Sequence, residues 1–384
     1  MNVVKLESLT DRKIGYGIVQ PGASVPNGIP VIKVNNIISG LRNISDLDTT
    51  TVENESKYTR TRLVGGELII SVVGTIGKTA IVPADFAGCN LVRATAMIDI
   101  KDPLITQWVK YYIDSPMGQH YIAENLNTTV QPTLNVKSLV EMPIPMYSSE
   151  YIENVVSILK SLDDKIECNR RINENLEQQA QALFKSWFVD FEPFKADELV
   201  ESELRMIPKG WRVYSLSEFL PVITGKKDAN VAKGGVYPFF SCSQDYSWTD
   251  DYSFDGSAIL VAGNGDFNVK MYVGKFEAYQ RTYVLIPYNP SYTAWLYYAV
   301  KYHLKEITSA ARGSVIKFIT KGNLADFKFA APSSLDGVDI ITKFDKIRKK
   351  VSAGIEESRR LAELRDTLLP KLMSGELKVG EINV

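Results

Sequence analysis

Histidine and cysteine are scarce. The chain holds only His120 and His303, with three cysteines, Cys89, Cys168 and Cys242, far apart and without a CxxC pair. That inventory supports neither a disulfide framework nor a zinc site, so no metal is expected. Two histidines also give no persuasive Ser-His-Asp set. Long apolar runs are missing as well: no stretch approaches the roughly 18 uninterrupted apolar residues of a membrane span. The opening MNVVKLESLTDRK has no apolar signal-peptide core. The expected compartment is the cytoplasm, with no membrane partner. An excess of charge is absent too, with 44 Lys and Arg against 45 Asp and Glu, a formal net charge of -1. A surface that neutralises phosphates must therefore be local, or shared with other chains.

Nucleotide and cofactor motifs are incomplete. Gly74-Thr75-Ile76-Gly77-Lys78-Thr79 suggests a P-loop, but Val72 stands where that loop needs its first glycine. Gly263-Asn264-Gly265 follows the apolar run Ile259 to Val261, and Asn289-Pro290-Ser291-Tyr292 comes later. An adenine-type methyltransferase combines a similar strand-GxG loop with an Asn-Pro-Pro-aromatic clamp, which Ser291 breaks. No cofactor is expected. A DNA adenine methyltransferase with degenerate motifs stays open as an alternative, as does a repeat-built protein-binding adaptor.

What is present is a duplication. With 384 residues, 45% of them hydrophobic and 23% charged, the chain is globular in composition and too long for one ordinary core. Leu6 and Gly15 match Leu216 and Gly225, and Pro30 matches Pro238. Val72-Val73-Gly74 matches Val261-Ala262-Gly263, and Arg93-Ala94-Thr95 matches Arg281-Thr282-Tyr283. Thr106, Trp108 and Tyr111 align without a gap on Thr293, Trp295 and Tyr298. Val130, Leu134, Leu139, Ile144, Ser148 and Ser149 then share one offset with Val315, Ile319, Leu324, Phe329, Ser333 and Ser334. The segment from about Gly40 to Arg60 has no counterpart and reads as a surface insertion.

Each copy ends in a helical pattern. Ile158, Leu162, Ile166, Leu176, Ala180, Leu183 and Trp187 recur at helical steps, with Asn169 and Asn173 in the same stripe. The second copy supplies Ile347, Val351, Ile355, Leu361, Leu368 and Leu372. Such stripes need a partner, and the economical one is the other helix, an antiparallel coiled-coil pair whose register Asn169 fixes. A helix from about Tyr151 to Trp187 would span roughly 55 Å. That length equals about 16 base pairs of duplex and would set the spacing of two half-sites. The globular parts read as short strands punctuated by Gly, Pro and Asn, with helices around Trp108-Tyr112 and Trp295-Tyr298. The expected fold is α+β: two mixed α/β domains and two long antiparallel coiled-coil helices, related by an internal pseudo-two-fold repeat. The expected segments are 1–147 and 195–335 for the domains, 148–194 for the central helix and linker, and 336–384 for the C-terminal helix.

This layout resembles the specificity subunit of type I restriction-modification enzymes, which alternates two target-recognition domains with two helical regions. The most specific stretches are ENLEQQAQALFKSWFVDFEP, ending at Pro193, then Ile207-Pro208-Lys209-Gly210-Trp211, and the run from Arg365 to Leu377. The first copy lacks that Ile-Pro-x-Gly-Trp lead-in. The resemblance implies a non-catalytic subunit that reads a bipartite, asymmetric site on double-stranded DNA. It would direct two methyltransferase subunits and the restriction (nuclease-translocase) subunits to that site. Recognition residues vary within this family, so candidates come from chemistry alone. Amides and guanidinium groups read base edges, while Lys, Ser and Thr position phosphates. The first choices are Thr128, Thr129 and Gln131 in one copy and Arg312, Ser314 and Lys317 in the other. Lys33, Asn35 and Asn36 with Ser241, Ser243 and Gln244 come second. Helix-pair register and subunit contacts are expected at Leu162, Ile166, Asn169, Leu176, Leu183, Trp187, Val351, Ile355, Leu361 and Leu372. If Arg312 reads a guanine, Arg312→Ala weakens binding to the specific duplex by about 1 to 3 kcal/mol. Equal loss on specific and random duplexes would instead make it a phosphate contact.

Overall fold

The computed structural model describes residues 2–127, 131–309, 311, 317–335 and 337–377. The chain divides into two compact units, Met1–Glu167 with Arg359–Val384, and Cys168–Ser358. Both divisions fall inside long helices, Ser149–Phe184 and Asp339–Ser374, each of 36 residues.

In the first unit the opening strand Asn2–Lys5 pairs antiparallel with Pro143–Met146. Between these ends lies a four-stranded antiparallel sheet in the order Arg12–Tyr16, Thr95–Asp99, Leu68–Ser71, Thr79–Ile81. Alternate residues of a strand face opposite sides. Leu68, Ile70, Ala96 and Ile98 accordingly enter the core that holds Trp108, while Ile69 and Met97 enter another with Ile32, Phe86 and Leu91. The helix Pro103–Asp114 covers the first face. It starts where Asp102 accepts hydrogen bonds from the amides of Leu104 and Ile105, with Pro103 in the first turn. Its Trp108 is fully buried and donates from Nε1 to the Pro145 carbonyl at 2.9 Å, tying the helix to the closing strand. A second sheet joins Asp48–Thr50, Ile29–Ile32 and Asn90–Leu91, the last two parallel.

The second unit repeats this plan. Trp211–Ser215 pairs antiparallel with Lys328–Pro332. One six-stranded sheet then runs in the order Val222–Thr224, Thr282–Leu285, Phe254–Ala262, Val269–Ala278, Tyr237–Phe240, Ser247–Thr249. The long strand Val269–Ala278 pairs antiparallel on one side and parallel on the other. In the first unit the same two roles fall to separate strands, Thr79–Ile81 and Asn90–Leu91. Pro83 lies between them, and a residue without an amide donor cannot continue a ladder on both sides.

The hydrogen bonds correct the register of the repeat. Gly17 N donates to Thr95 O, as Gly225 N donates to Thr282 O. The counterpart of Gly225 is therefore Gly17 and not Gly15, and Thr282 is the counterpart of Thr95. At both glycines a Cβ would collide with a neighbouring backbone carbonyl, of Leu91 and Tyr279 respectively, which explains the residue type. A bulge between Arg12 and Gly15 contributes to the slip. Likewise Val72 N donates to Ala94 O and Gly263 N to Arg281 O. Val72 thus matches Gly263, and Gly74 matches Gly265, both with positive φ (79° and 73°). Leu134, Leu139 and Ile144 keep the expected register with Ile319, Leu324 and Phe329. Val130 and Val315 lie outside the described residues.

The buried face of each long helix follows the expected stripe in part: Ala180 and Leu372 enter the cores, and Leu183, Trp187, Ile347 and Leu368 pack against them. Ile152, Val155, Val156 and Leu159 join Leu369, Leu372 and Met373 in the first unit's core. Ala180, Phe184 and Phe188 join Ile340, Ile341 and Phe344 in the second. Asn169, Val351 and Leu372 are buried, while Leu162, Ile166, Leu176, Leu183, Trp187 and Leu361 are only half-buried. Ile355 is 57% exposed. The neighbouring contact goes instead to polar and small residues: Asn169 Nδ2 donates to Glu357 Oε2 at 2.8 Å, and Asn173 lies against Gly354, where a Cβ would meet its amide.

The unmatched segment is also narrower than expected. The strand Asp48–Thr50 pairs with Ile29–Val31 as Ser247–Thr249 pairs with Tyr237–Phe239, so the strand itself is common to both copies. What is added includes a helical turn at Val52–Glu55 and the tight turns Ser56–Thr61. Its anchor is a buried carboxylate. Glu55 accepts from both Arg62 Nε, at 2.8 Å, and Arg62 Nη2, and from Asn90 Nδ2 at 3.0 Å. The Arg62 hydrogen bond holds its carboxyl below the ordinary 4.5. A depressed carboxylate pKa adds stability above the unfolded value, and that stability is lost as pH falls through the folded value. Glu55→Gln should therefore lower the urea midpoint at pH 7 and reduce the further loss of stability on acidification below about pH 4.3. Parallel pH profiles for variant and parent would contradict this assignment.

Candidate nucleic-acid interface

The second-choice loops leave equivalent strands. Lys33, Asn35 and Asn36 follow Ile29–Ile32, and Ser241, Ser243 and Gln244 follow Tyr237–Phe240. Their chemistry differs. Lys33 Nζ makes an ion pair with Asp48 at 2.5 Å, and Asn36 Oδ1 accepts from the Lys33 amide at 2.8 Å, so Asn36 holds the start of the helix Val34–Ser39. Asn35 is exposed. In the second unit the Ser241 and Ser243 hydroxyls lie 2.9 Å apart, and Ser243 Oγ donates to Asp245 O at 2.6 Å. Lys270 Nζ donates to Ser241 O at 3.2 Å, and burial lowers its pKa.

The second unit links its two candidate segments through one turn. Gln244 Nε2 donates to Asp266 Oδ2 at 3.0 Å, and the neighbouring Gly265 N donates to Lys317 O at 3.1 Å. Gly265, Asn264 and Phe318 form a small antiparallel bridge there, as Val73 and Thr133 do in the first unit. The loop after Phe240, the Gly263–Asp266 turn and Lys317 therefore share one edge. Lys317 and Gln131 are exposed. Thr128, Thr129, Arg312 and Ser314 lie outside the described residues.

A basic cleft of about 430 Å³ in the first unit was missed from the sequence. Lys13, Gly15 and Tyr16 line one part of it, and Lys57, Tyr58 and Arg60 another. Tyr16 is held in place: its hydroxyl donates to Leu134 O at 3.0 Å and accepts from Val136 N at 2.7 Å. Arg12 also borders the cleft, but its guanidinium bonds Asp99 and the buried Glu67. The available signal was the run Lys57-Tyr58-Thr59-Arg60-Thr61-Arg62; what hid it was the distance in sequence to Lys13. Among the described residues, no group of three or more His, Cys, Asp or Glu could hold a metal ion, and no helix is long and apolar enough to cross a membrane.

The family model for the type I restriction modification DNA specificity domain matches this chain twice, over residues 3–178 and 208–362. The EcoDI specificity subunit of Escherichia coli, a type I restriction enzyme component, is 40% identical over 176 residues, covering 44% of this chain and 39% of that relative. The MjaIX specificity subunit of Methanocaldococcus jannaschii is 27% identical over 319 residues, covering 73% of this chain and 71% of the relative. The crystal structure of a type I restriction-modification S subunit from M. genitalium has the same fold, with a TM-score of 0.58 at 16% identity over 97% of this chain and 95% of that one. With two matched domains over most of its length, the protein belongs to the type I restriction-modification DNA specificity family.

Proposed function

We propose that the chain is the non-catalytic, sequence-reading subunit of a type I restriction-modification complex. It reads a bipartite, asymmetric site on double-stranded DNA, one half with each unit, and directs two methyltransferase subunits and the restriction subunits to it in the cytoplasm. The observation that carries this reading is the repeat. Two copies of one domain present different polar loops on equivalent strand ends, Lys33 to Asn36 in one and Ser241 to Gln244 in the other. A common scaffold with divergent loops suits two different half-sites, because base contacts specify while the scaffold only positions.

The long helices act in this reading as an antiparallel coiled coil that sets the spacer. Its support is a set of ties in which residue numbers rise along one helix and fall along the other. In the first unit Tyr151 bonds Leu372 O at 2.8 Å, and Asp163 bonds Arg365 at 2.8 Å. In the second, Asn169 bonds Glu357 and Glu177 bonds Arg348. A helix of 36 residues is about 54 Å long, room for about 16 base pairs.

The methyltransferase alternative loses its main support in the repeat. Gly265 has a counterpart in Gly74, both at positive φ, and Gly263 is a glycine because a Cβ there would meet the Arg281 carbonyl. Each glycine thus has a backbone reason that needs no methyl donor.

The test is methylome sequencing of a host carrying this chain with a cognate methyltransferase subunit, against the same host without the chain. A bipartite motif that depends on the chain is expected. Deleting four residues of the helix between Arg170 and Leu176 should change the spacer and leave both half-motifs intact. A motif that appears without the chain would overturn the reading, and an unchanged spacer would overturn the ruler.

A further inference from the structure

The balanced overall charge requires any phosphate-binding surface to be local. The basic cleft of the first unit meets that requirement. Its described lining contains no acidic side chain, and it carries four cations, Arg12, Lys13, Lys57 and Arg60. Arg12 is committed to Asp99 and Glu67. Among the described residues Lys57 pairs with Glu53, at 3.9 Å and 89% exposed, a pair that water and salt screen. Lys13 and Arg60 are exposed, and no ion pair neutralises either among the described residues. The cleft therefore keeps roughly three positive charges facing solvent beside two tyrosines.

Two further observations say that the cleft is built. Lys57, Tyr58 and Arg60 belong to the turns that only the first copy possesses, and those turns are fastened from beneath by the buried Glu55 with Arg62 and Asn90. Thr61 Oγ1 adds a bond to Asn90 Oδ1 at 2.9 Å. At the corresponding place, after Ser247–Thr249, the second copy runs through Asp250-Asp251-Tyr252-Ser253. The segment itself thus carries cations in one copy and two carboxylates in the other, where the nearby Lys275 lies over the Tyr252 ring at 4.7 Å.

We infer that Lys13, Lys57 and Arg60 form a backbone-phosphate site for duplex DNA that exists in the first unit alone. The three cations neutralise phosphates of the half-site that the first unit reads, and Tyr58 adds an apolar wall against the sugars. The grip is consequently asymmetric: the first half-site is held by charge and base contacts, the second by its polar loops without this clamp. This inference rests on the DNA-reading function proposed above.

The experiment uses the full chain assembled with its methyltransferase subunits and measures binding to a duplex carrying the methylated motif and to a random duplex, across a salt series. In K13A/K57A/R60A, affinity for both duplexes should fall together, and the slope of log K against log salt should flatten by about 0.9 for each lost phosphate contact, about 2 to 3 in all. The methylated motif should stay the same, and K13R/K57R/R60K should restore the slope. A slope equal to that of the parent overturns the clamp, and so does a changed motif, which would make these residues base readers. If the parent complex shows no preference between the two duplexes, the DNA-reading function itself fails and the clamp fails with it.

Discussion

Each copy of the domain is closed by its own ends. Asn2–Lys5 lies against Pro143–Met146, and Trp211–Ser215 against Lys328–Pro332. These short ladders bring the chain back to where it entered, and the long helices begin soon after the closing strands, at Ser149 after Met146 and at Asp339 after Pro332. Leu6 and Leu216 follow the opening strands fully buried, and their amides bond the carbonyls of Met142 and Phe327. The loops on the sheet between the two ends can vary without moving the point of attachment. That constraint separates the part of the chain that reads from the part that holds.

The holding part is secured by apolar burial at the helix ends and by polar ties nearer the middle. In the first unit Tyr111, fully buried, donates its hydroxyl to Asp163 at 2.8 Å, and Asp163 also receives Arg365. Burial and the adjacent carboxylate raise the tyrosine pKa, so the phenol stays a donor. In the second, Glu177 receives Arg348 and Lys301. Ion pairs of this kind contribute little net stability after desolvation, but a shifted register would strand a buried charge. Geometry and not strength is their contribution, together with the close approach that Gly354 allows beside Asn173.

Much of the fold was legible because the repeat carried it. Thr106, Trp108 and Tyr111 align with Thr293, Trp295 and Tyr298 in both sequence and structure, since a helix tolerates no insertion in its buried face. Register was lost where strands bulge or turn. A residue-type match placed Gly15 opposite Gly225, while the hydrogen bonds place Gly17 there, because sequence spacing does not reveal a bulge. The helix stripe includes Asn169 and Asn173, but the groups that face them, Glu357 and Gly354, carry no apolar signal and were not legible. The equivalence of the loops after Ile32 and Phe240 was legible from Pro30 and Pro238. The basic cleft was not, because its two walls lie more than forty residues apart and only the fold brings Lys13 to Arg60.

The central claim is that two closed domains on one scaffold read two half-sites independently. It is tested most directly by replacing residues 195–335 with the corresponding domain of another specificity subunit and sequencing the methylome of the host. A bipartite motif in which one half changes and the other is retained is the expected result. A motif altered in both halves, or in neither, would contradict it.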